Sequence, residues 1–272
     1  MDANAEIGLS VDVDGIATNY HRAGEGPVVL LVHGSGPGVS AWANWRLTLP
    51  ALAERFTVVA PAVVGFGFTD RPPGFDYSLD SWRRHLLGFA DALGLGTFSL
   101  VGNSFGGGLA LSLAVHEPER VERLVLMGAC GVSFPITEGL DRVWGYEPSL
   151  ETMRGLLDVF AWDPAFATDE LAELRYAASV RPGFQESFAA MFPAPRQRWV
   201  DALATPEDVI ARLPHPTLVV HGRDDQVIPL DNAYRLLRLI DDAQLHVFGR
   251  CGHWTQIEHA QEFNRLVADF LS

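Results

Sequence analysis

The stretch FSLVGNSFGGG, Phe98–Gly108, decides the fold. Phe98–Val101 is a short continuous apolar run, the pattern of a strand buried on both faces of a parallel sheet. Gly102-Asn103-Ser104-Phe105-Gly106 follows at once and fits G-x-S-x-G, and Phe105–His116 then reads as a helix. Alone, this five-residue motif recurs too easily in a glycine-rich chain to identify anything. Its position gives it meaning, because strand, sharp turn and helix together lift a serine hydroxyl above the edge of a sheet. The flanking glycines are required sterically, since side chains there would collide with the neighbouring strand and helix. A helix start that binds some anion is the competing reading.

Outward from this point the same strand type recurs at Val28–Val32, Thr57–Ala60, Leu124–Met127, Thr217–Val220 and Gln244–Phe248. Helical patterns lie between and after them, at Trp42–Arg55, Leu79–Leu93, Asp231–Ile240 and Ile257–Leu271. Strand alternating with helix predicts an α/β fold with a mostly parallel sheet wrapped on both faces. Two weaker strands, Glu6–Asp14 and Ile16–Arg22, flank Asp14-Gly15 and predict a hairpin. The alternation stops after Met127 and resumes near Pro216. The proline-broken, aromatic-rich segment between is too long for a loop and lacks strand signals, so it reads as a helical insertion over one end of the sheet. The expected organisation is core 1–132, helical cap 133–206 and core 207–272.

Among 272 residues, 34 acids face 20 bases, for a net charge of −14. No compact basic run offers a footprint for nucleic acid or an anionic membrane. All 20 bases are arginine; without lysine, a Walker-type phosphate loop, a kinase site, a Schiff-base aldolase and a pyridoxal enzyme are excluded. The two cysteines, Cys130 and Cys251, make no disulfide framework and fit a reducing cytoplasm. The acidic N-terminus, MDANAEIGLS, shows no secretion pattern. Ala92–Val115 carries no charge but is too rich in glycine and polar residues for a membrane span. No metal or cofactor is expected.

A serine needs a base, and the base an orienting acid. His253 falls in the loop after the last strand, at the carboxyl edge of the sheet; His33, after the first core strand, reads equally well as a buried structural histidine. The strand Thr217–Val220 leads to Asp224 and Asp225, either of which could orient the base, with Asp225 favoured. Ser104, Asp225 and His253 then stand in the chain order of the α/β-hydrolase arrangement. An oxyanion hole is expected from the backbone N–H of Phe105 and from the loop His33–Gly38.

Six segments now carry a resemblance: HGSGPGVSAWANWR (His33–Arg46), GFGFTDRP (Gly65–Pro72), GNSFGGG (Gly102–Gly108), FPAPRQRWVDAL (Phe192–Leu203), GRDDQVIP (Gly222–Pro229) and GHWTQIEH (Gly252–His259). In this order, over nearly the whole chain, they resemble the meta-cleavage product hydrolases. These are α/β-hydrolase-fold enzymes that cleave a carbon–carbon bond in ring-fission products of aromatic degradation. The likeness is greatest to the monoalkylbenzene, cumene and phenol-type members. It implies an eight-stranded sheet, a 2-hydroxy-6-oxohexa-2,4-dienoate-type substrate, and assembly as a homo-oligomer. It implies Ser35 and Phe105 as oxyanion donors, Arg181 as the carboxylate-binding arginine, and Asn44, Asn103 and Trp254, with Gly34 and Gly36, around the dienoate. One departure is visible: members commonly carry an acidic residue after the proline where this chain has Pro61-Ala62.

Two other functions fit the same triad or fold. An esterase or thioesterase would keep the triad and change the pocket. A ligand receptor would need no intact triad. A haloalkane dehalogenase is disfavoured, because its nucleophile position requires a carboxylate and holds Ser104.

Overall fold

The structure, a computed structural model, describes residues 4–272. The first three residues of the acidic N-terminus read above lie outside the described residues. Eight strands form one sheet: β1 (Leu9–Val13), β2 (Ile16–Ala23), β3 (Val28–Val32), β4 (Thr57–Pro61), β5 (Phe98–Asn103), β6 (Val121–Met127), β7 (Thr217–Gly222) and β8 (Ala243–Phe248). Their spatial order is β1-β2-β4-β3-β5-β6-β7-β8. β1 and β2 form the expected hairpin, Asp14 and Gly15 turning with φ of 51° and 82°. β2 meets β4 antiparallel and every later pairing is parallel.

Thirteen α-helices and two short 3-10 turns, Pro118–Arg120 and Pro164–Phe166, accompany the sheet in the described chain. Around the first half of the sheet lie α1 (Ala41–Trp45), α2 (Leu49–Leu52), α3 (Leu79–Ala92) and α4 (Phe105–His116). Between β6 and β7 come α5 (Glu138–Trp144), α6 (Leu150–Phe160), α7 (Asp169–Ser179), α8 (Phe184–Met191), α9 (Gln197–Ala202) and α10 (Glu207–Ile210), with no strand among them. The second half adds α11 (Leu230–Leu239), α12 (Thr255–Glu258) and α13 (Ala260–Leu271). The helix expected over Trp42–Arg55 is broken into α1 and α2. Pro50, in the first turn of α2, lacks an N–H and its ring clashes with the carbonyl four residues back, at Arg46. His259, with φ −124°, likewise separates α12 from α13.

The period of two along each strand sorts the core. Val29, Leu31, Val58, Ala60, Val101, Val125, Leu218 and Val220 pack on one face with Trp45, Leu52, Phe263 and Val267 of α1, α2 and α13. Leu30, Val32, Val59, Leu100, Leu124 and Val219 pack on the other with Trp82, Phe89, Leu109 and Leu236 of α3, α4 and α11. With both faces covered, the carboxyl edge of the sheet is the open place for a ligand.

His33 has a structural task at that edge. Its Nδ1–H donates to the Gly34 carbonyl at 2.8 Å and its Nε2 accepts the Val63 N–H at 2.9 Å, tying the loop after β3 to the loop after β4. That second loop is where Ala62 stands. Ala62 is buried, its N–H bonded to the Asn19 carbonyl and its own carbonyl to Thr69 Oγ1, so Thr69 braces this loop. Among the described residues no helix is long and apolar enough to cross a membrane, and both cysteines are buried and free.

Burial pushes the His33 imidazole down to about 4, from 6.5, and does the same to His85. Both are therefore neutral in the folded chain at neutral pH and ordinary when it unfolds. Between those values the unfolded chain binds more protons, so folding weakens as pH falls through that window. Each imidazole costs about 3 kcal/mol by the lower end. The urea midpoint should fall steadily as pH is lowered from neutral; a constant midpoint would contradict neutral burial of these rings.

Candidate active site

Ser104 joins β5 to α4 in a strained conformation, φ 55° and ψ −118°. The turn is this sharp because backbone packs on backbone. A Cβ on Gly102 would lie 2.4 Å from the Gly106 carbonyl oxygen, and one on Gly106 would lie 2.3 Å from that of Val32. Four main-chain hydrogen bonds hold Ser104 there. Its N–H donates to Met127 at 2.9 Å, and its carbonyl accepts from Gly107, Gly108 and Cys130. Its side chain borders a cavity of about 310 Å³. Among the described residues Ser104 Oγ makes no hydrogen bond.

His253, after β8, borders the same cavity. Its Nδ1 lies 2.8 Å from Asp225 Oδ2. A carboxylate only accepts, so the proton is on Nδ1 and Nε2 of the neutral ring is left to accept one. Asp225 follows β7 with its side chain 1% exposed. Its Oδ1 accepts from the N–H groups of Val227 at 2.7 Å and Ile228 at 3.0 Å. Burial alone would raise the Asp225 carboxyl; the charge and hydrogen bonds of His253 and His221 outweigh it and hold the carboxyl well below the usual range. Asp224 turns away and pairs with Arg223 at 3.2 Å.

The backbone N–H groups of Ser35 and Phe105 have no protein acceptor among the described residues. Phe105 opens α4, where first-turn donors are left free by the helix itself. Gly34, Ser35 and Gly36 line the cavity with Asn44, Asn103 and Trp254. Asn44 Oδ1 accepts the Gly34 N–H at 3.3 Å, leaving its buried Nδ2 without a partner. Asn103 Nδ2 lies 3.4 Å from the Met127 carbonyl. Trp254 stacks on Phe160 of α6, centroids 4.9 Å apart.

Arg181 lies elsewhere. It does not border the cavity; it pairs with Glu6 at 3.3 Å and lies over the Phe68 and Phe184 rings. The physical reason is its position beyond the end of α7. Within that helix, Leu171, Leu174, Arg175 and Ala178 present one face of α7 to the cavity. Arg175, not Arg181, is the arginine on that wall, and its guanidinium bonds the Pro37 carbonyl at 3.2 Å. Burial pushes it down to about 10, which leaves it charged at neutral pH. Arg46 also borders the cavity. The 171/174/175/178 spacing was the signal that could have singled out Arg175.

Three further residues went unsingled in the sequence. Gln256 borders the cavity with its Oε1 unpartnered. Trp144 of α5 donates to Ser35 Oγ at 2.9 Å. Glu258 accepts from the N–H groups of Gly252 at 2.8 Å, Trp162 at 2.8 Å and Asp163 at 3.1 Å, stapling the histidine loop to the helical segment above it. His253 N–H also donates to the Phe160 carbonyl, at 2.7 Å.

The sequence profile of the α/β-hydrolase fold matches residues 27–260. The chain is 61% identical to a 2-hydroxymuconate semialdehyde hydrolase of Pseudomonas sp. (strain CF600), over 98% of this chain and 94% of that protein. It is also 61% identical to a 2-hydroxy-6-oxo-2,4-heptadienoate hydrolase of Pseudomonas putida, over 100% and 98%. Its fold overlays that of a meta-cleavage product hydrolase from Pseudomonas fluorescens IP01, solved as a serine-to-alanine mutant complexed with acetates, with a TM-score of 0.97, 61% identity and 98% of both chains covered. The chain belongs to the meta-cleavage product hydrolases of the α/β-hydrolase fold family.

The two neighbouring aspartates are separable by substitution. Asp225→Asn removes the carboxylate that fixes the His253 tautomer, so labelling of Ser104 by an organophosphate should slow about a hundredfold or more. Asp224→Asn should label near the wild-type rate. Equal losses in both would contradict the geometry.

Proposed function

We propose that the chain hydrolyses the C5–C6 carbon–carbon bond of 2-hydroxy-6-oxohexa-2,4-dienoate-type ring-fission products. The products are 2-hydroxypenta-2,4-dienoate and a carboxylic acid. The observation that carries this reading is the cavity itself: Ser104 and His253, the latter backed by buried Asp225, border one space with charged Arg175, under an apolar wall of Met153, Leu157 and Phe160. An ester-cleaving site needs the first three groups; an enclosed guanidinium adds a place for a substrate carboxylate.

The roles follow from the chemistry. Arg175 holds the dienoate carboxylate. Asn44 and Gln256, whose Nδ2 and Oε1 lack protein partners, address the oxygen at C2 as donor and acceptor. Cleavage of a C–C bond needs an electron sink, so the dienol first becomes a ketone: its hydroxyl proton leaves and C5 gains one, with His253 as the carrier. Addition to the C6 carbonyl, by Ser104 Oγ or by a water that Ser104 orients, then places negative charge on oxygen before the Ser35 and Phe105 N–H groups. The C5–C6 bond breaks and its electrons pass through C3=C4 to the C2 oxygen, which takes the proton that His253 received from the nucleophile; on the Ser104 path a water then hydrolyses the acyl-enzyme, and on the water path the acid is already formed.

The C6 substituent is small. The relatives that share 61% identity are named for a C6 aldehyde and a C6 methyl ketone, and a cavity of about 310 Å³ is at the lower end of ligand sites. Assembly as a homo-oligomer and a cytoplasmic location belong to the same reading and rest on family likeness. Light scattering tests the first, and a monomer at working concentration would remove it.

The decisive comparison is bleaching of a yellow 6-methyl dienol against release from a nitrophenyl ester. Dienol turnover should dominate, and ester turnover without bleaching would overturn the assignment. Arg175→Ala should raise KM for the dienol at least tenfold and leave the neutral ester nearly untouched, while Arg181→Ala should not discriminate between them. The reverse ranking would return the carboxylate to Arg181.

A further inference from the structure

The acid of the triad serves two imidazoles. His221, the fifth residue of β7, places Nε2 3.3 Å from Asp225 Oδ2, the same oxygen that receives His253 Nδ1 at 2.8 Å. The same Nε2 lies 3.0 Å from the Ile228 carbonyl oxygen. Both neighbours are acceptors, so His221 carries its proton on Nε2. A closed ring results. His221 binds the Ile228 carbonyl, the Ile228 N–H binds Asp225 Oδ1, and Asp225 returns to His221 through Oδ2. His221 is 1% exposed and does not border the cavity, so it touches no substrate.

We propose that His221 is a positioning residue for the reaction: it fixes the Asp225 carboxylate and shares its charge, so that His253 keeps one orientation and a moderated basicity. The physical ground is competition for one oxygen. A buried carboxylate with His253 as its sole partner on Oδ2 would stabilise the protonated imidazole strongly and hold the base in its spent form. A second positive N–H edge on that oxygen draws off part of the charge. Other ionisable groups facing the pair are Cys130 from the loop after β6, Cys251 and Glu258 beside His253, and Asp224 with its partner Arg223. Burial pushes Cys130 up to about 12 and Cys251 higher still, so both thiols stay neutral. Asp224 is paired with Arg223, and Glu258 with three backbone N–H groups.

The proposal rests on the reading of Ser104, Asp225 and His253 as the catalytic set, so two readouts are followed: dienol turnover, and organophosphate labelling of Ser104. His221→Met removes the donor at matched side-chain length, and His221→Gln keeps one. In His221→Met the acid limb of the labelling rate should move to higher pH by about half a unit or more, because the unshared carboxylate stabilises protonated His253. His221→Gln should recover most of the wild-type profile. Superimposable limbs, or equal shifts in both variants, overturn the proposal. Should either variant fail to fold, nitrogen NMR of the intact protein decides: the His221 proton belongs on Nε2, and an unprotonated Nε2 overturns the assignment. Absent dienol turnover with the labelling behaviour intact removes the substrate reading and leaves His221 in its role.

Discussion

Everything in the site depends on the backbone of one residue. Ser104 sits at φ 55° in a conformation that a side-chain-bearing residue adopts at a cost of about 1–3 kcal/mol. Hydrogen bonds from both sides over-determine it. Met127 anchors its N–H from β6, while Gly107, Gly108 and Cys130 converge on its carbonyl. Glycine at 102 and 106 lets strand and helix close to backbone contact around the turn. The consequence is geometric: the Ser104 side chain stands at the cavity wall, with the first free N–H of α4 beside it and the loop after β3 opposite.

The remaining groups reach that point by separate routes that meet at the carboxyl edge. Asp225 arrives from β7 and His253 from β8, with the His253 main chain held by α6 through the Phe160 carbonyl. Glu258 adds three N–H bonds across the same boundary, and Trp144 reaches from α5 to Ser35. The helical segment therefore does more than cover the cavity. It is hydrogen-bonded both to the loop that carries His253 and to the loop that carries Ser35.

Much of this was legible in residue order because the governing constraints are local. Buried parallel strands must read as apolar runs, a hairpin must turn at Asp14-Gly15, and the sharp turn at Ser104 must be flanked by glycine. Where the expectation departed from the structure, a long-range contact or an interrupted period decided. Pro50 split a helix that apolar spacing alone would continue. Of the neighbours Asp224 and Asp225, the sequence favoured the second, and the side of the loop that meets His253 separates them. Likeness of a short motif points to Arg181, but the end of α7 turns it toward Glu6, a residue 175 positions away. His221 and Glu258 gave no sequence signal, since each acts on partners brought near only by the completed sheet.

The proposed function requires one cavity to present a carboxylate site at Arg175 and a carbonyl site at Ser104 to the same small molecule. A crystal structure of Ser104→Ala soaked with a 6-methyl dienol tests it most directly. The account requires the carboxylate on the Arg175 guanidinium and the C6 oxygen facing the Ser35 and Phe105 N–H groups. A dienol bound with its carboxylate at Arg181, or with C6 turned away from residue 104, would contradict it.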